Sequence, residues 1–412
     1  MSTPAPHQAT WSATSVPLVA IEAELDRLWH TATRYLQTEL VAAGRGPDVS
    51  QAAAPSSIRA SVLNFVAYAG GISVEPGTDE QLTKLADYLA TKHRSRTVTI
   101  VAHENAADVA LIATIRTNAQ DGASGRKFIH EQVLISADGA VGERLPSIVM
   151  PLLISDLPTY VWWPGDPPSE DSFWRYITGT CRHFIINSRE FSKPLESLSR
   201  YASLSRNARK YQTFGDLSWR QLSPWRELVA RFFDNQYYRP FLNGVESVTI
   251  DYSGGSKWEM ADGAANACPA LLLAGWLSSR LGWSAVNCEW RDDGFDIACT
   301  DGSSGRDITV HFKSRLRPDV SSATIDAIRL KTANSGIQAY FDVVRQDNSS
   351  VARATAHVDG RTDSILSVRM TTEDLPALMA MELKFCDQDM LYEAALDAAG
   401  NMATLAQKQP TG

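Results

Sequence analysis

Residues 150–192, MPLLISDLPTYVWWPGDPPSEDSFWRYITGTCRHFIINSREFS, predict a complete βαβ unit around which the rest of the chain is arranged. Residues 159–163 are β-branched and aromatic, residues 164–168 contain Pro, Gly and Asp, and residues 182–186 form a second apolar run. The segment between the two runs has the length of a helix. Because parallel strands need a crossover of this size, the stretch predicts a parallel α/β sheet.

The turn at residues 164–168 is the first candidate for a functional surface. Open α/β sheets usually bind their ligands beyond the carboxyl ends of their strands, and this turn follows such an end. Its prolines restrict the backbone, which lowers the entropy lost on docking. An exchange of Asp166 for Lys should then weaken partner binding and leave the thermal midpoint nearly unchanged. The residues expected to contact a partner are Asp156, Pro158, Trp162, Trp163, Pro164, Asp166, Pro167 and Pro168.

The two tryptophans of this stretch have a structural interpretation as well. Adjacent strand residues point to opposite faces of a sheet, so Trp162 and Trp163 cannot fill the same side. If helices cover both faces, both rings belong to the core. The two interpretations differ in whether the rings are accessible.

The composition indicates a globular protein of about two domains. The chain has 412 residues, 44% of them apolar and 21% charged, and a single core rarely grows beyond about 250 to 300 residues. The net charge of −8 argues against general nucleic-acid binding. No apolar run approaches the roughly 20 residues that span a bilayer, and the first residues lack a signal-peptide pattern. We therefore expect a cytoplasmic protein with neither nucleic-acid nor membrane partners.

Hydrophobic patterns divide the chain into five segments. Residues 1–16 predict a flexible arm and residues 17–204 a domain with an open, mainly parallel α/β sheet. Residues 205–245 predict a basic helical connector, in which Trp219, Trp225, Phe232 and Phe233 are expected to be core. Residues 246–400 predict an α+β domain with a largely antiparallel sheet, backed by an apolar helix at residues 268–281 and by terminal helices. Residues 401–412 predict a polar tail.

A basic segment offers the second candidate site. Residues 182–231 contain eight Arg and two Lys against four acidic residues, a net charge of +6 in an acidic protein. Such a reversal is typical of a surface that meets an anion or an acidic partner, although a solvated helical segment explains it equally well. The arginines that could line an anion site are Arg182, Arg189, Arg206 and Arg209.

Motifs of known chemistry are missing from the sequence. It contains no phosphate-binding GxGxxG or GxxxxGK[ST], no GxSxG nucleophile motif, and no His or Cys pairs at metal-ligand spacing. His183 and His103 could act as acids or bases, but isolated histidines are more often bonded within the structure. We therefore expect no cofactor, no metal and no catalytic residues, although triads assembled from distant positions would escape this search.

Several stretches together resemble the OpcA family, the glucose-6-phosphate dehydrogenase assembly proteins of cyanobacteria and actinobacteria. They are DLPTYVWWPGDPP at residues 156–168, the strand and SREF at residues 184–191, FGDLSW at residues 214–219, and the order of the two domains. The resemblance implies a protein that is not an enzyme. It implies binding to glucose-6-phosphate dehydrogenase, promotion of its active oligomer and, in cyanobacteria, thioredoxin-linked redox control of the oxidative pentose phosphate pathway.

The five cysteines are the candidates for such control. They are odd in number and show no CxxC spacing, and most free cysteines in cytosolic proteins are inert core residues. Cys288 and Cys299 lie on segments that could pair as neighbouring strands, whereas Cys386 stands among acidic residues that would raise its pKa. If a disulfide forms, we expect it between Cys288 and Cys299.

Two function classes compete at this point. One is an assembly factor and allosteric activator of the dehydrogenase, which should display exposed apolar residues on a partner surface. The other is a sugar-phosphate sensor or enzyme, which should bring two or more of the four arginines together in one pocket.

Overall fold

The structure, a computed structural model, describes residues 8–14, 18–42, 61–70, 77–103, 111–121, 127–138, 144–168, 172–254, 266–315, 317, 323–346, 350–370, 373–384 and 388–408. The chain divides into two compact units. The first unit contains Met1–Pro164, Pro168–Ile185 and Leu375–Cys386, and the second contains Gly165–Pro167, Ile186–Asp374 and Asp387–Gly412.

Strands and helices alternate in the first part of the chain. They are β1 (Gln8–Thr14), α1 (Leu18–Ala42), β2 (Leu63–Gly70), α2 (Thr78–Lys92), β3 (Ser95–His103), β4 (Leu111–Asp121), β5 (Lys127–Asp138), α3 (Leu145–Leu152), β6 (Thr159–Trp162), α4 (Ser172–Ile177) and β7 (Cys181–Ile186).

Helices dominate the next part of the chain, and strands dominate the part after it. A 3₁₀ helix at Ser188–Glu190 is followed by α5 (Pro194–Arg206), β8 (Thr213–Asp216), α6 (Leu217–Gln221), α7 (Ser223–Phe232), a 3₁₀ helix at Arg239–Gly244, β9 (Val245–Ser253), α8 (Cys268–Leu281), β10 (Trp283–Arg291), β11 (Gly294–Asp301), β12 (Asp307–Arg315), β13 (Ile325–Asn334), β14 (Ile337–Arg345), β15 (Val351–Val358), β16 (Arg361–Arg369), α9 (Leu375–Glu382) and α10 (Met390–Gln407).

The sheet of the first unit is mainly parallel, as the sequence predicted. Within this unit, its strands lie in the order β1-β4-β5-β3-β2-β6-β7. The pairs β2–β3, β2–β6, β3–β5 and β6–β7 are parallel, whereas β1–β4 and β4–β5 are antiparallel. Central strands such as β2 are apolar on both faces because both faces are buried. The predicted βαβ unit is confirmed as β6, α4 and β7.

The sheet of the second unit is largely antiparallel, which is also confirmed. Its order is β10-β11-β12-β9-β13-β14-β15-β16, and only the β9–β12 pair among them is parallel. Side chains alternate between a buried and a more exposed face along β14 and β15. On the buried face, the ring of Phe341 packs 5.2 Å from that of Phe232 in α7. On β10, the indole N–H of Trp290 donates to the carbonyl of Ala406 in α10.

Helix α8 is the apolar helix that the sequence predicted, with the same bounds. It ends at Gly282, whose φ of 73° lies in the left-handed region where glycine is favoured. Its middle lies against α10, and the two backbones approach closely at Gly275. A Cβ atom at that position would lie 2.3 Å from the carbonyl oxygen of Ala395.

The segment bounds differ from the prediction in four places. Strand β1 lies in the predicted arm at residues 1–16, because it pairs with β4. Residues 205–245 belong to the second unit and do not form a separate connector. Helix α9 falls within the predicted α+β domain at residues 246–400 but belongs to the first unit. Helix α10 continues into the predicted polar tail because Ala403 and Ala406 on one of its faces are buried.

Candidate functional site

The predicted partner stretch is partly buried. Asp156 and Pro158 are exposed, and Pro164 and Asp166 are half-buried. Trp162 and Trp163 are only 4% and 6% exposed, and Pro167 and Pro168 are buried too. Both tryptophan rings therefore belong to the core, as the structural interpretation required, and Asp156 and Pro158 offer the accessible surface of the stretch.

Trp163 lies in a group of aromatic rings in the first unit. Its ring lies 4.5 Å from that of Tyr68 in β2 and 5.9 Å from that of Trp174 in α4. Tyr68 in turn stacks on Phe173 at 4.6 Å. Aromatic pairs at these separations add to the stability that burial alone provides. Trp163 of the family-like motif thus helps to fix the crossover helix on the sheet.

Asp166 is bonded to the start of α5. Its carboxylate accepts hydrogen bonds from the backbone N–H of Ser192 at 3.1 Å, the backbone N–H of Lys193 at 3.3 Å and the hydroxyl of Ser197 at 2.6 Å. The hydroxyl of Ser192 also donates to it. A carboxylate at this place satisfies N–H groups that have no partner within the helix and complements the helix dipole. The premise that Asp166 is an exposed residue is therefore wrong, and we now expect Asp166→Lys to lower the thermal midpoint.

The FGDLSW stretch forms a second internal network. Asp216 is fully buried and caps α6, accepting from the backbone N–H groups of Ser188 at 3.0 Å and Ser218 at 2.9 Å. Burial raises the pKa of Asp216 to about 6, against the lowering effect of these two hydrogen bonds. The Ser218 hydroxyl joins the network by donating to Asn187 at 3.1 Å and accepting from the backbone N–H of Arg189 at 3.0 Å.

The aromatic residues around this stretch are core, as predicted. Trp219, Trp225, Phe232 and Phe233 are all buried. The indole N–H of Trp219 donates to Asp389 at 3.2 Å, and the Arg226 guanidinium lies 3.3 Å from the centre of the Trp219 ring. Burial lowers the pKa of Arg226 to about 10.

The four candidate arginines have separate surroundings. Arg206 pairs with Asp397 at 3.0 Å, and Arg209 donates to the hydroxyl of Tyr211 at 2.7 Å. Arg182 lies on β7 in the first unit. Arg189 lines a cleft of the second unit together with Arg345, a residue that the sequence did not single out. The pocket expected from the four arginines is therefore not formed by them, and one of the four contributes to a different cleft.

This cleft contains five polar residues. They are Arg189, Ser218, Gln221, Thr324 and Arg345. Arg189 donates to the hydroxyl of Thr324 at 3.0 Å and to the side-chain oxygen of Gln221. Burial lowers the pKa of Arg189, and the positive charge of Arg345 lowers it further. No sequence signal pairs these arginines, because Arg345 ends an ordinary alternating strand far along the chain.

His183 is bonded within the first unit. Its Nε2 lies 2.9 Å from Oε1 of Glu382 in α9, and both side chains are buried. This contact confirms the structural interpretation of His183. In the same unit, Nε2 of His93 lies 2.8 Å from the carbonyl oxygen of Ala380.

None of the four described cysteines forms a disulfide, and each has a raised pKa. Cys288 and Cys299 lie on the paired strands β10 and β11, but the register opposes Cys288 to Ile297 and Cys299 to Ala285. Burial raises the pKa of Cys288 to about 11 and that of Cys299 to about 12. Burial also raises the pKa of Cys268 at the start of α8, although a helix N-terminus alone would lower it. Cys386 lies outside the described residues.

The more exposed face of the second sheet is continuous and polar. Directly opposed residues form a row across six strands: Asp296, His311, Thr249, Arg329, Asp342 and Thr355. Beside this row, Tyr340 on β14 is 44% exposed, opposite the half-buried His357. The carboxylate of Asp251 accepts from Arg329 at 2.5 Å and pairs with Arg315 at 2.9 Å.

The ranges that the structure describes contain no group of three or more His, Cys, Asp or Glu side chains that could hold a metal ion. None of the helices described is both long enough and apolar enough to cross a membrane.

The fold and these networks define a two-unit α/β protein whose distinctive stretches are bonded within the structure. Residues 86–203 match a family profile described as the glucose-6-phosphate dehydrogenase subunit N-terminal domain, and residues 212–396 match the one for the C-terminal domain. The chain belongs to the OpcA family.

Relatives of known name agree with this assignment. An OxPP cycle protein OpcA from Nostoc punctiforme is 24% identical over 82% of this chain and 71% of its own length. Proteins of the same name from Synechocystis sp. and Synechococcus elongatus are 25% and 27% identical over 62% and 65% of this chain. The chain spans 52% and 58% of the length of these two relatives.

Solved structures with a similar arrangement are oxidoreductases. The aldose-aldose oxidoreductase of Caulobacter crescentus is 10% identical, with a TM-score of 0.43 over 84% of this chain and 96% of that one. The biliverdin reductase of Synechocystis sp. is 9% identical, with a TM-score of 0.42 over 84% and 98%.

Proposed function

We propose that this chain is a non-catalytic partner of glucose-6-phosphate dehydrogenase, which it binds and activates allosterically by promoting the active oligomer. The observation that carries this proposal is the match of residues 86–203 and 212–396 to domains described as parts of a subunit of that dehydrogenase. The relatives are named for the OxPP cycle, the oxidative pentose phosphate pathway in which the dehydrogenase acts.

The hydrogen-bond networks indicate that the polar residues considered as candidate site residues have structural roles. Asp166 and Asp216 accept backbone hydrogen bonds at helix starts, and His183 is bonded to a buried glutamate. Groups held in this way stabilise the fold. Most residues of the motifs that mark the family therefore maintain its architecture.

The polar face of the second sheet is the surface that fits this partner best. Tyr340 is a large aromatic residue of this face that remains exposed. The face also carries charges of both signs, such as Arg353 and Asp342, and aromatic residues with arginine are enriched in protein interfaces. We assign the dehydrogenase to this face. Asp156 and Pro158 remain predicted partner residues of the first unit.

Binding and activity measured on the same samples test the proposal. The chain should bind glucose-6-phosphate dehydrogenase, raise its activity at dilute enzyme and shift its sedimentation towards the larger oligomer. The exchange Tyr340→Asp should weaken binding at least tenfold, which corresponds to losing a central contact. Arg280→Glu, at the exposed end of α8, serves as the control and should bind normally.

Two results would contradict the proposal. Glucose-6-phosphate oxidation by this chain without the dehydrogenase would show an enzyme. Unaltered binding by the Tyr340 variant, with loss of binding after exchange of Asp156, would move the partner surface to the first unit.

A thioredoxin-linked control belongs to the same proposal as its finer part. Thiols with a raised pKa are weak nucleophiles near neutral pH, because the thiolate is the reactive form. Cys181, Cys268, Cys288 and Cys299 all have a raised pKa through burial. Redox control would therefore act through Cys386 or through the dehydrogenase.

A further inference from the structure

The cleft that contains Arg189 and Arg345 lies entirely within the second unit. It is lined by the 3₁₀ helix after β7, by α6 and α7, by the first turn of α8, and by the ends of β13 and β14. Among its described lining residues, two are arginines and none is Asp or Glu, so the lining itself carries two positive charges.

Both guanidinium groups are held in place by neutral oxygen atoms. Arg189 donates to Thr324 at 3.0 Å and to Gln221, while its backbone N–H is fixed by Ser218. Arg345 donates through Nε to the carbonyl of Ile325 at 3.3 Å. Its guanidinium also lies 5.8 Å from the centre of the Trp225 ring. Because these side chains are already ordered, less side-chain entropy is lost when a ligand binds to them.

The backbone next to Thr324 in the wall of the cleft is strained and is held by several hydrogen bonds. Ala323 has a φ of 62°, in the left-handed region that residues with a side chain rarely adopt. Ser253 holds this turn by three hydrogen bonds: its carbonyl accepts from Ala323 at 2.8 Å, its hydroxyl from Thr324 at 2.9 Å, and its N–H donates to the Thr324 carbonyl at 2.7 Å. Strained backbone persists where the surroundings determine it, and it is common at ligand sites.

Acidic residues next to the lining offset part of its positive charge. Burial lowers the pKa of both Arg189 and Arg345. Glu190 raises the pKa of Arg189 more than Arg345 lowers it, and Asp326 raises the pKa of Arg345 more than Arg317 lowers it. An anion bound between the two guanidinium groups would accept charged hydrogen bonds from both.

The donors and the apolar wall indicate the chemical class of that anion. Two guanidinium groups can each form paired hydrogen bonds with a phosphate, and the Thr324 hydroxyl can donate a further one. A phosphate monoester offers three acceptor oxygens to these donors. Beside them, Leu222, Trp225 and Met370 supply an apolar surface for the organic part of a ligand.

From this geometry we propose that the cleft binds a small organic phosphate, and that Arg189 and Arg345 donate hydrogen bonds to its phosphate group. Nothing in this assignment depends on the dehydrogenase. It replaces the four-arginine site expected from the sequence with a different pair.

Calorimetric titration of the full chain tests the proposal, with glycerol phosphate as the probe and glycerol and inorganic phosphate as comparisons. Glycerol phosphate should bind, inorganic phosphate more weakly, and glycerol not at all. Arg345→Gln should weaken binding about tenfold or more, since it removes charged hydrogen bonds. Arg206→Gln removes an arginine of the same unit that pairs with Asp397 and should leave binding unchanged.

Hydrogen exchange with and without glycerol phosphate locates the site without any variant. Protection should increase around Arg189 and at residues 323–325, which line the cleft. A chain that does not bind the probe, protection confined to other segments, or undiminished binding by a folded Arg345→Gln variant would each overturn the proposal. If that variant does not fold, the exchange pattern of the unaltered chain decides.

Discussion

Asp166 and Asp216 are two carboxylates in family-like motifs, and both are bonded to backbone N–H groups. Their environments differ, because Asp166 is half-buried whereas Asp216 is fully buried. This difference determines what each contributes to stability.

Replacing Asp166 should destabilise the second unit. Asp166→Ala removes the acceptor for two backbone N–H groups and two hydroxyls at the start of α5, and losing a cap of this kind costs about 1 to 2 kcal/mol. Asp156→Ala, on the exposed part of the same stretch, should cost under about 0.5 kcal/mol. Denaturant titration of the two variants compares them. Equal losses would show that the Asp166 bonds contribute nothing.

Asp216 should make the stability of the protein depend on pH. Its pKa is about 6 in the fold and about 3.9 in an unfolded chain, so the folded form retains a proton that the unfolded form releases. The stabilising contribution is complete below about pH 4 and is lost as the pH rises through about 6. Its size is on the order of 2 to 3 kcal/mol.

Asp216→Asn separates this contribution from that of all other acids. The amide oxygen still accepts from Ser188 and Ser218 but does not titrate. From pH 4 to pH 7, the free energy of unfolding should therefore decrease less in the variant than in the unaltered chain. The same decrease in both proteins would contradict the raised pKa.

The close approach of α8 and α10 depends on a single glycine. Gly275→Ala would place a Cβ atom 2.3 Å from the carbonyl oxygen of Ala395 and 2.8 Å from the backbone nitrogen of Ala399, so the helices must separate. Overpacking of this kind costs about 1 to 3 kcal/mol, more than the roughly 1 kcal/mol that alanine gains in helix propensity. Arg280→Ala, exposed on the same helix, is the control. The thermal midpoint should fall only for Gly275→Ala.

Elements with a strong local pattern were predictable from the sequence. The apolar run and Gly282 predicted both ends of α8. The change from β-branched and aromatic residues to prolines predicted β6 and the turn that follows it. The segment around Cys288 was predicted only as a strand that could pair with that of Cys299, without bounds, because few side chains of β10 are buried. Burial of the Pro167 and Pro168 side chains could not be predicted, since it depends on tertiary contacts and not on local composition.

The cleft shows the same limit for the site. Arg189 was a candidate because it lies in a basic segment, but its neighbour Arg345 comes from a strand far along the chain. Register and burial bring them together, and neither leaves a local signal. The same holds for Cys288 and Cys299, whose strands were predicted to be neighbours but whose register was not.

At the scale of the whole molecule, the thiols can be tested together. Mass mapping after alkylation should show Cys181, Cys268, Cys288 and Cys299 unchanged between mildly oxidised and thioredoxin-treated samples, because all four have a raised pKa. A difference at Cys386 would identify the redox-active thiol. A peptide that joins Cys288 to Cys299 in the oxidised sample would instead support the pairing expected from the sequence.

Helix α9 has a consequence for the order in which the protein folds during synthesis. It belongs to the first unit but follows the last strand of the second, and it supplies the Ala380 carbonyl to His93 and the Glu382 carboxylate to His183. Domains usually fold in the order in which they leave the ribosome. Here the first unit stays incomplete until α9 has been synthesised. Until then, His93 and His183 lack the hydrogen-bond partners that α9 supplies. A fragment that ends at Ile186 should therefore fold only partly, and adding α9 as a separate peptide should allow it to fold fully.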